Sequence, residues 1–160
     1  LSAATTCPNR DGKVGIGGCT FCSVGGSGDF ASSALLPISE QIKQAKELVK
    51  FKAKDLPYIA YFQSFTGTYG DLEYLEKIYQ EACSYPEIVG LSIATRPDCL
   101  DDDAMAMLER LSERKPLWVE LGLQTIHERT AKNINRGYPL SVYDDAMKKL
   151  AKEDHMDNIN

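Results

Sequence analysis

The spacing of apolar and polar residues changes in a regular order along the chain. After Pro37, residues Ile42, Ala45, Leu48 and Val49 recur at helical spacing, and Ser39 is placed to cap that helix. The run Tyr58-Ile59-Ala60-Tyr61-Phe62 predicts a buried strand. Asp71 can cap a second helix, which puts Leu75, Ile78, Tyr79 and Ala82 on one face. A strand follows over Ile88 to Ala94. Asp101, with Asp102 and Asp103 behind it, opens a third helix, because carboxylates favour a helix N-terminus. Met105, Leu108 and Leu111 line that helix. Leu117 to Leu123 predicts another strand, residues 127–134 a short helix, and Ser141 with Asp144 a capping box ahead of Val142, Ala146 and Leu150. Residues 1–6 read as the end of a strand.

Strands alternating with helices imply parallel pairing with right-handed helical crossovers. An open doubly wound sheet and an α/β barrel both fit. The alternation stops after three or four strands, and no initiator Met is present. These features predict the N-terminal part of a longer domain, with a loop over 7–30 and βα repeats over 31–160.

The strand at Leu117 sorts by period two. Leu117, Val119, Leu121 and Leu123 share one face; Trp118, Glu120, Gly122 and Gln124 share the other. In a barrel the aliphatic face meets the helices, so Glu120 and Gln124 point inward near the carboxyl end, where active sites of such folds gather. Glu120 then serves either as a structural acceptor or as a ligand contact. Polar residues end the other strands too: Gln63, Ser64 and Thr66 after the first, Thr95, Arg96 and Asp98 after the second. Arg96-Pro97-Asp98 also suits a turn with an internal ion pair.

Composition narrows the picture. The chain has 160 residues and a net charge of −5, so bulk charge advertises no nucleic-acid surface. No stretch approaches the roughly 18–20 apolar residues of a membrane span. Five cysteines, three of them clustered, suggest metal chemistry in a reducing compartment, hence a cytoplasmic protein.

The three are Cys7, Cys19 and Cys22, in a loop over 7–30 that holds seven of the twelve glycines. Three thiolates are one short of the four that close an ordinary iron–sulfur or zinc site. A redox pair of Cys19 and Cys22 would leave Cys7 unexplained. Structural zinc needs a remote fourth ligand from His127, His155, Cys83 or Cys99, and an electron-transfer cluster needs a remote fourth cysteine. A non-catalytic, metal-stabilised binding module is thus one reading. The other is a [4Fe–4S] cluster with one iron left open for a small molecule. The run Gly25-Gly26-Ser27-Gly28-Asp29-Phe30 lacks the ending of a phosphate loop and reads as packing beside the metal centre. Cys83 reads as core, and Cys99 as either buried or a spare thiol near the site.

The pattern Cys7-x₁₁-Cys19-x₂-Cys22, with Phe21 before the last cysteine, resembles the radical S-adenosylmethionine superfamily. The usual spacing there is C-x₃-C-x₂-C; the longer first gap resembles the branch containing the elongator catalytic subunit. Thr95-Arg96-Pro97-Asp98, Glu120-Leu121-Gly122-Leu123-Gln124-Thr125 and Asn135-Arg136-Gly137 are similar to later motifs of that branch, in the same order. Over Cys7–Phe30 and Tyr58–Gly137 the chain most resembles a bacterial group, the YhcC-like proteins.

The resemblance implies a partial (βα)6-type TIM-like barrel and an enzyme whose [4Fe–4S] cluster cleaves S-adenosylmethionine reductively to a 5′-deoxyadenosyl radical. That radical takes hydrogen from a substrate the sequence does not reveal. Cys7, Cys19 and Cys22 inherit the role of cluster ligands, and Phe21 a place beside the adenine. The segment Gln63-Ser64-Phe65-Thr66-Gly67-Thr68 occupies the position that binds the methionine amino group, without the usual Gly-Gly-Glu. Ala94 stands where relatives place a ribose-binding Glu, so Glu120 or Thr95 must serve. Gln124 and Arg136 match cofactor-contacting positions, with Arg136 placed to pair with the methionine carboxylate. A flavodoxin- or ferredoxin-type one-electron donor is implied as partner; tRNA as substrate rests on the elongator analogy alone.

Overall fold

The computed structural model describes residues 1–53 and 56–152. Five helices and three strands alternate: α1 (Ile38–Val49), β1 (Tyr58–Phe62), α2 (Leu72–Ser84), β2 (Ile88–Thr95), α3 (Asp102–Ser112), β3 (Leu117–Leu121), α4 (Glu128–Asn133) and α5 (Leu140–Leu150). The strands form one parallel sheet in the order β1-β2-β3, with Tyr61 beside Ser92 and Ala94 beside Glu120. Sequence order and spatial order coincide, so each crossover helix returns the chain to the next strand. The described strands form an open sheet; closure into a barrel is not part of it.

One face of the sheet is the core. Leu91 and Ile93 of β2 and Leu117 and Val119 of β3 pack with Leu75, Tyr79 and Ala82 of α2 and with Met107, Leu108 and Leu111 of α3. Phe62 meets the Tyr79 ring edge-on at 4.7 Å, an arrangement that suits the ring quadrupoles. The Tyr79 hydroxyl donates to the Gly67 carbonyl at 2.6 Å. This bond ties the loop after β1 to the packed helix layer.

Asp71 and Asp101 cap α2 and α3 as expected, accepting from the backbone N–H groups of Tyr74 and Ala104. Other boundaries differ from expectation. α1 starts at Ile38 and α5 at Leu140, each directly after a proline whose fixed φ pre-sets the turn into the helix. Ser39 and Ser141 therefore lie inside their helices and cap nothing. The N–H of Leu140 instead finds the Glu128 carboxylate at 2.8 Å. β1 is buried on one face only, with Ile59 exposed. β3 ends at Leu121, two residues early, because Gln124 turns into the left-handed region at φ 63°.

Residues 1–6 form no strand. Ala4 at φ 57° breaks the extended run. The segment is held instead by side chains: buried Gln41 accepts from the Ser2 N–H and donates to the Ser2 carbonyl, and Thr5 donates to the Ser64 carbonyl.

Leu108 is fully buried and Leu35 is almost fully exposed. Leu108→Ala should therefore cost about 2–5 kcal/mol of stability, whereas Leu35→Ala should stay within about 0.5 kcal/mol. Urea midpoints at constant m-value would show the difference.

Candidate functional site

The cysteine loop folds on its own backbone first. The Cys7 carbonyl accepts from the N–H groups of Arg10 and Asp11, Val14 donates to Pro8, Gly18 to Asn9, and Cys22 to Cys19. The long gap between the first two cysteines makes a small hairpin closed by an Asp11–Ile16 bridge. The loop is then pinned from the far end of the chain. Thr20 donates its N–H to the Ile134 carbonyl at 3.0 Å, and the Asn135 amide donates to the Gly18 carbonyl at 2.7 Å. The Asn9 amide donates to the Asn135 carbonyl at 2.5 Å. The Asn135-Arg136-Gly137 motif thus seats the cysteines.

Facing the loop is a cavity of about 330 Å³ over the carboxyl ends of the strands, a size suited to a small-molecule site. Cys7, Cys19, Cys22, Phe21, Gln63, Thr66, Thr95, Glu120, Gln124 and Arg136 all line it, as does Arg96, whereas Ser64 and Asp98 do not. Phe21 is half-exposed, so a ring face is free for contact. The glycine run packs beside the cysteines as expected. Gly26, at φ 60°, accepts from the Phe65 N–H through its carbonyl, and a Cβ there would overlap the Phe65 ring. Ser27, Phe65 and Gln124 all line the cavity in left-handed backbone. Such conformations cost about 1–3 kcal/mol each and cluster at functional sites.

On the inner sheet face Glu120 accepts from the Tyr61 hydroxyl at 2.9 Å and from the Ser92 hydroxyl at 2.6 Å. Each carboxylate oxygen has one donor and retains free lone pairs, so Glu120 combines the structural role with capacity for a ligand hydroxyl. Burial and the Glu120 contact push the Tyr61 phenol up to about 12. Thr95 shares a 2.6 Å contact with Thr68, whose hydroxyl also donates to the Cys99 carbonyl. With the Thr68 proton committed there, Thr95 is the donor of the pair and offers the cavity only an acceptor.

Arg136 is buried and heavily engaged. It donates to the carbonyls of Tyr138, Leu123 and Thr125, and reaches Glu128 at 3.5 Å. Four of its five N–H groups are used, so it mainly clamps the chain after β3 and has one donor to spare for a carboxylate. Arg96 forms the turn ion pair the sequence allowed, at 2.9 and 2.7 Å to Asp98. Burial works against its charge, but Asp98 and the thiols of Cys7 and Cys19 outweigh that and hold the guanidinium protonated.

Several contributors escaped the sequence reading. Tyr61 looked like strand core, yet its position two residues before Gln63 puts it on the inner face, a signal available from period two. Arg10 donates to the Val24 carbonyl at 3.1 Å and to those of Cys22 and Ser23, and sits over Phe65. The guanidinium groups of Arg96 and Arg136 both lie over the Tyr138 ring, at 5.0 and 4.7 Å from its centroid. Nothing in local sequence announces these last two.

Among the described residues no fourth ligand stands with the three cysteines. Cys83 is in the core, Cys99 is buried in the Pro97–Cys99 turn with its thiol pushed up to about 12 by burial and Asp98, and His127 is exposed. His155 lies outside the described residues. Among the described residues no three His, Cys, Asp or Glu side chains gather as around a single metal ion. The three thiols are free, and burial together with the neighbouring Cys22 and Cys7 pushes the Cys19 thiol up.

Residues 5–159 match the family model of the Radical SAM superfamily. The chain belongs to the radical SAM superfamily. It is 49% identical to YtqA of Bacillus subtilis over 152 residues, which is 95% of this chain and 47% of YtqA. It is 44% identical to YhcC of Escherichia coli K12 over 147 residues, 89% of this chain and 45% of YhcC. A protein of Methanocaldococcus jannaschii is 38% identical over 91% of the chain. The YhcC-like resemblance holds, and the chain spans about half the length of these curated relatives. Among the described residues no helix is long and apolar enough to cross a membrane.

The residues present fit an iron–sulfur cluster with a polar ligand beside it, as radical SAM proteins carry. Three unpaired thiols form one wall of the cavity. Thr66 lines the same cavity, and its hydroxyl is fully buried with no hydrogen-bond partner. Leaving such a group unpaired costs about 1–3 kcal/mol, which a ligand atom would recover.

Tyr61 makes the polar layer testable without any ligand. Its folded value is raised, so its contribution is complete below the ordinary tyrosine range near 10 and disappears as pH climbs through about 12. Tyr61→Phe should therefore be less stable than the parent at pH 8, and the gap should narrow by pH 11.5 in paired urea titrations.

Proposed function

We propose that this chain is the cluster- and cofactor-binding part of a radical SAM enzyme, and that its sheet is part of a (βα)6-type barrel. Cys7, Cys19 and Cys22 hold a [4Fe–4S] cluster by three irons, with S-adenosylmethionine on the fourth. When bound, the reduced cluster would pass one electron to the cofactor's sulfonium, breaking the C5′–S bond to leave methionine and a 5′-deoxyadenosyl radical for hydrogen abstraction. The protein orients and shields this chemistry. The observation that carries the reading is the coincidence, on one cavity, of three free thiols and a buried hydroxyl with no partner.

Each wall has a task. Phe21 offers its exposed ring to the adenine. Thr66, with Gln63 beside it, offers polar atoms to the amino-acid end, and the spare N–H of Arg136 reaches the carboxylate. Glu120 and Thr95 present acceptors for the ribose hydroxyls in place of the Glu that Ala94 lacks, and Gln124 closes the rim. An external one-electron donor of the flavodoxin or ferredoxin class completes the system.

Anaerobic reconstitution with iron and sulfide tests the reading. The protein should turn brown, bind about four irons and four sulfides as the cluster stoichiometry requires, and release 5′-deoxyadenosine when reduced with S-adenosylmethionine. Cys22→Ala should lose both colour and product. Product formation by Cys22→Ala would refute the ligand assignment, and stoichiometric zinc without sulfide would point to a metal-stabilised module instead.

A further inference from the structure

The three thiols are not in equivalent surroundings. Cys19 is buried, and its sulfur receives the Asn9 amide at 3.5 Å; the Arg96 guanidinium stands behind at 4.0 Å. Cys22 has only the Ser27 hydroxyl at 3.6 Å, and among the described residues no side-chain donor reaches the Cys7 sulfur.

The Asn9 orientation is fixed by its partners. Its nitrogen faces two acceptors, the Cys19 sulfur and the Asn135 carbonyl at 2.5 Å. A flipped amide would place oxygen against both, so the donor assignment follows from the network. Both amide hydrogens are thereby committed. The opposite end is crowded: a Cβ at Gly15 would lie 2.3 Å from the Asn9 oxygen. Asn9 is completely buried and its oxygen has no partner. An unsatisfied buried oxygen is a cost, and the structure tolerates it while keeping both N–H groups on acceptors.

We infer that Asn9 is a positioning residue that sets the reduction potential of the proposed cluster through its N–H contact to Cys19. This rests on the function proposed above. Reduction adds one electron to the cluster from an external donor and breaks no bond. Hydrogen bonds to ligand sulfurs favour the more negative, reduced form and so raise the potential. The low-dielectric setting of a buried amide strengthens the effect. Arg96 acts in the same sense from farther away, with its charge shared with Asp98. The hairpin between Cys7 and Cys19 thus supplies Asn9 from its first turn and, through Gly15, the space Asn9 needs.

The test is a redox titration of the reconstituted protein followed by EPR, with iron and sulfide content measured first. Asn9→Ala should retain the cluster and shift its reduction equilibrium about tenfold toward the oxidised form, ~59 mV for one electron. Asn9→Asp, which keeps the shape, loses the N–H and adds a charge, should shift it further in the same direction. The unsubstituted protein provides a second readout where these variants misfold: with ¹⁵N-labelled asparagine, pulsed EPR of the reduced cluster should show a weak amide-nitrogen coupling. A cluster present at full content with unchanged potential in Asn9→Ala, or lacking that coupling in the parent, overturns the inference and leaves the proposed function standing. A parent protein that builds no cluster overturns both.

Discussion

The site depends on one long-range constraint: the turn at residues 134–137 holds the cysteine loop. The loop contains seven glycines and no regular element beyond a single bridge, so its own backbone entropy works against any one arrangement of the thiols. Thr20, Gly18 and Asn9 each bond to Ile134 or Asn135. Arg136 in turn fixes that segment by clamping the carbonyls of Leu123, Thr125 and Tyr138. The chain of support runs from packed sheet to β3, to the clamp, to the turn, and finally to sulfur.

This explains how a polar cavity coexists with a stable fold. The helix-facing side of the sheet carries the apolar burial, with Leu91, Ile93 and Leu117 essentially removed from solvent. The opposite side is then free to carry Tyr61, Ser92 and Glu120, whose groups satisfy one another. Even a half-buried carboxylate without such donors would be costly. The same alternation that buries Val119 delivers Glu120 to the cavity.

Much of this was legible in the sequence. Apolar runs, period two and helical spacing located β1, β2, β3 and the four longer helices, since burial on one face leaves a direct trace in residue order. The three cysteines and the polar strand ends marked the cavity because their residue types are rare in such places by chance. Caps were read less well: Ser39 and Ser141 look like N-caps in isolation, but Pro37 and Pro139 start both helices two residues earlier. The strand expected at residues 1–6 failed because a single left-handed residue, Ala4, leaves no mark in composition. Arg136 was assigned to a ligand carboxylate on motif position, while its carbonyl partners depend on a turn whose path no local pattern encodes. Asn9 and Arg10 were hidden for the same reason, their partners lying outside their own neighbourhood in the chain.

The bonds that seat the thiols span 117 and 126 positions of the polypeptide. During vectorial synthesis the cysteines leave the ribosome before the residues that pin them, which follow only after β1, β2 and β3 have been made. Closing so large a ring is entropically slow. A nascent chain ending before residue 134 therefore exposes three thiols with no seat, open to oxidation or stray metal. Insertion of the proposed cluster into the finished arrangement would follow translation past that turn, and would require thiols still reduced at that point.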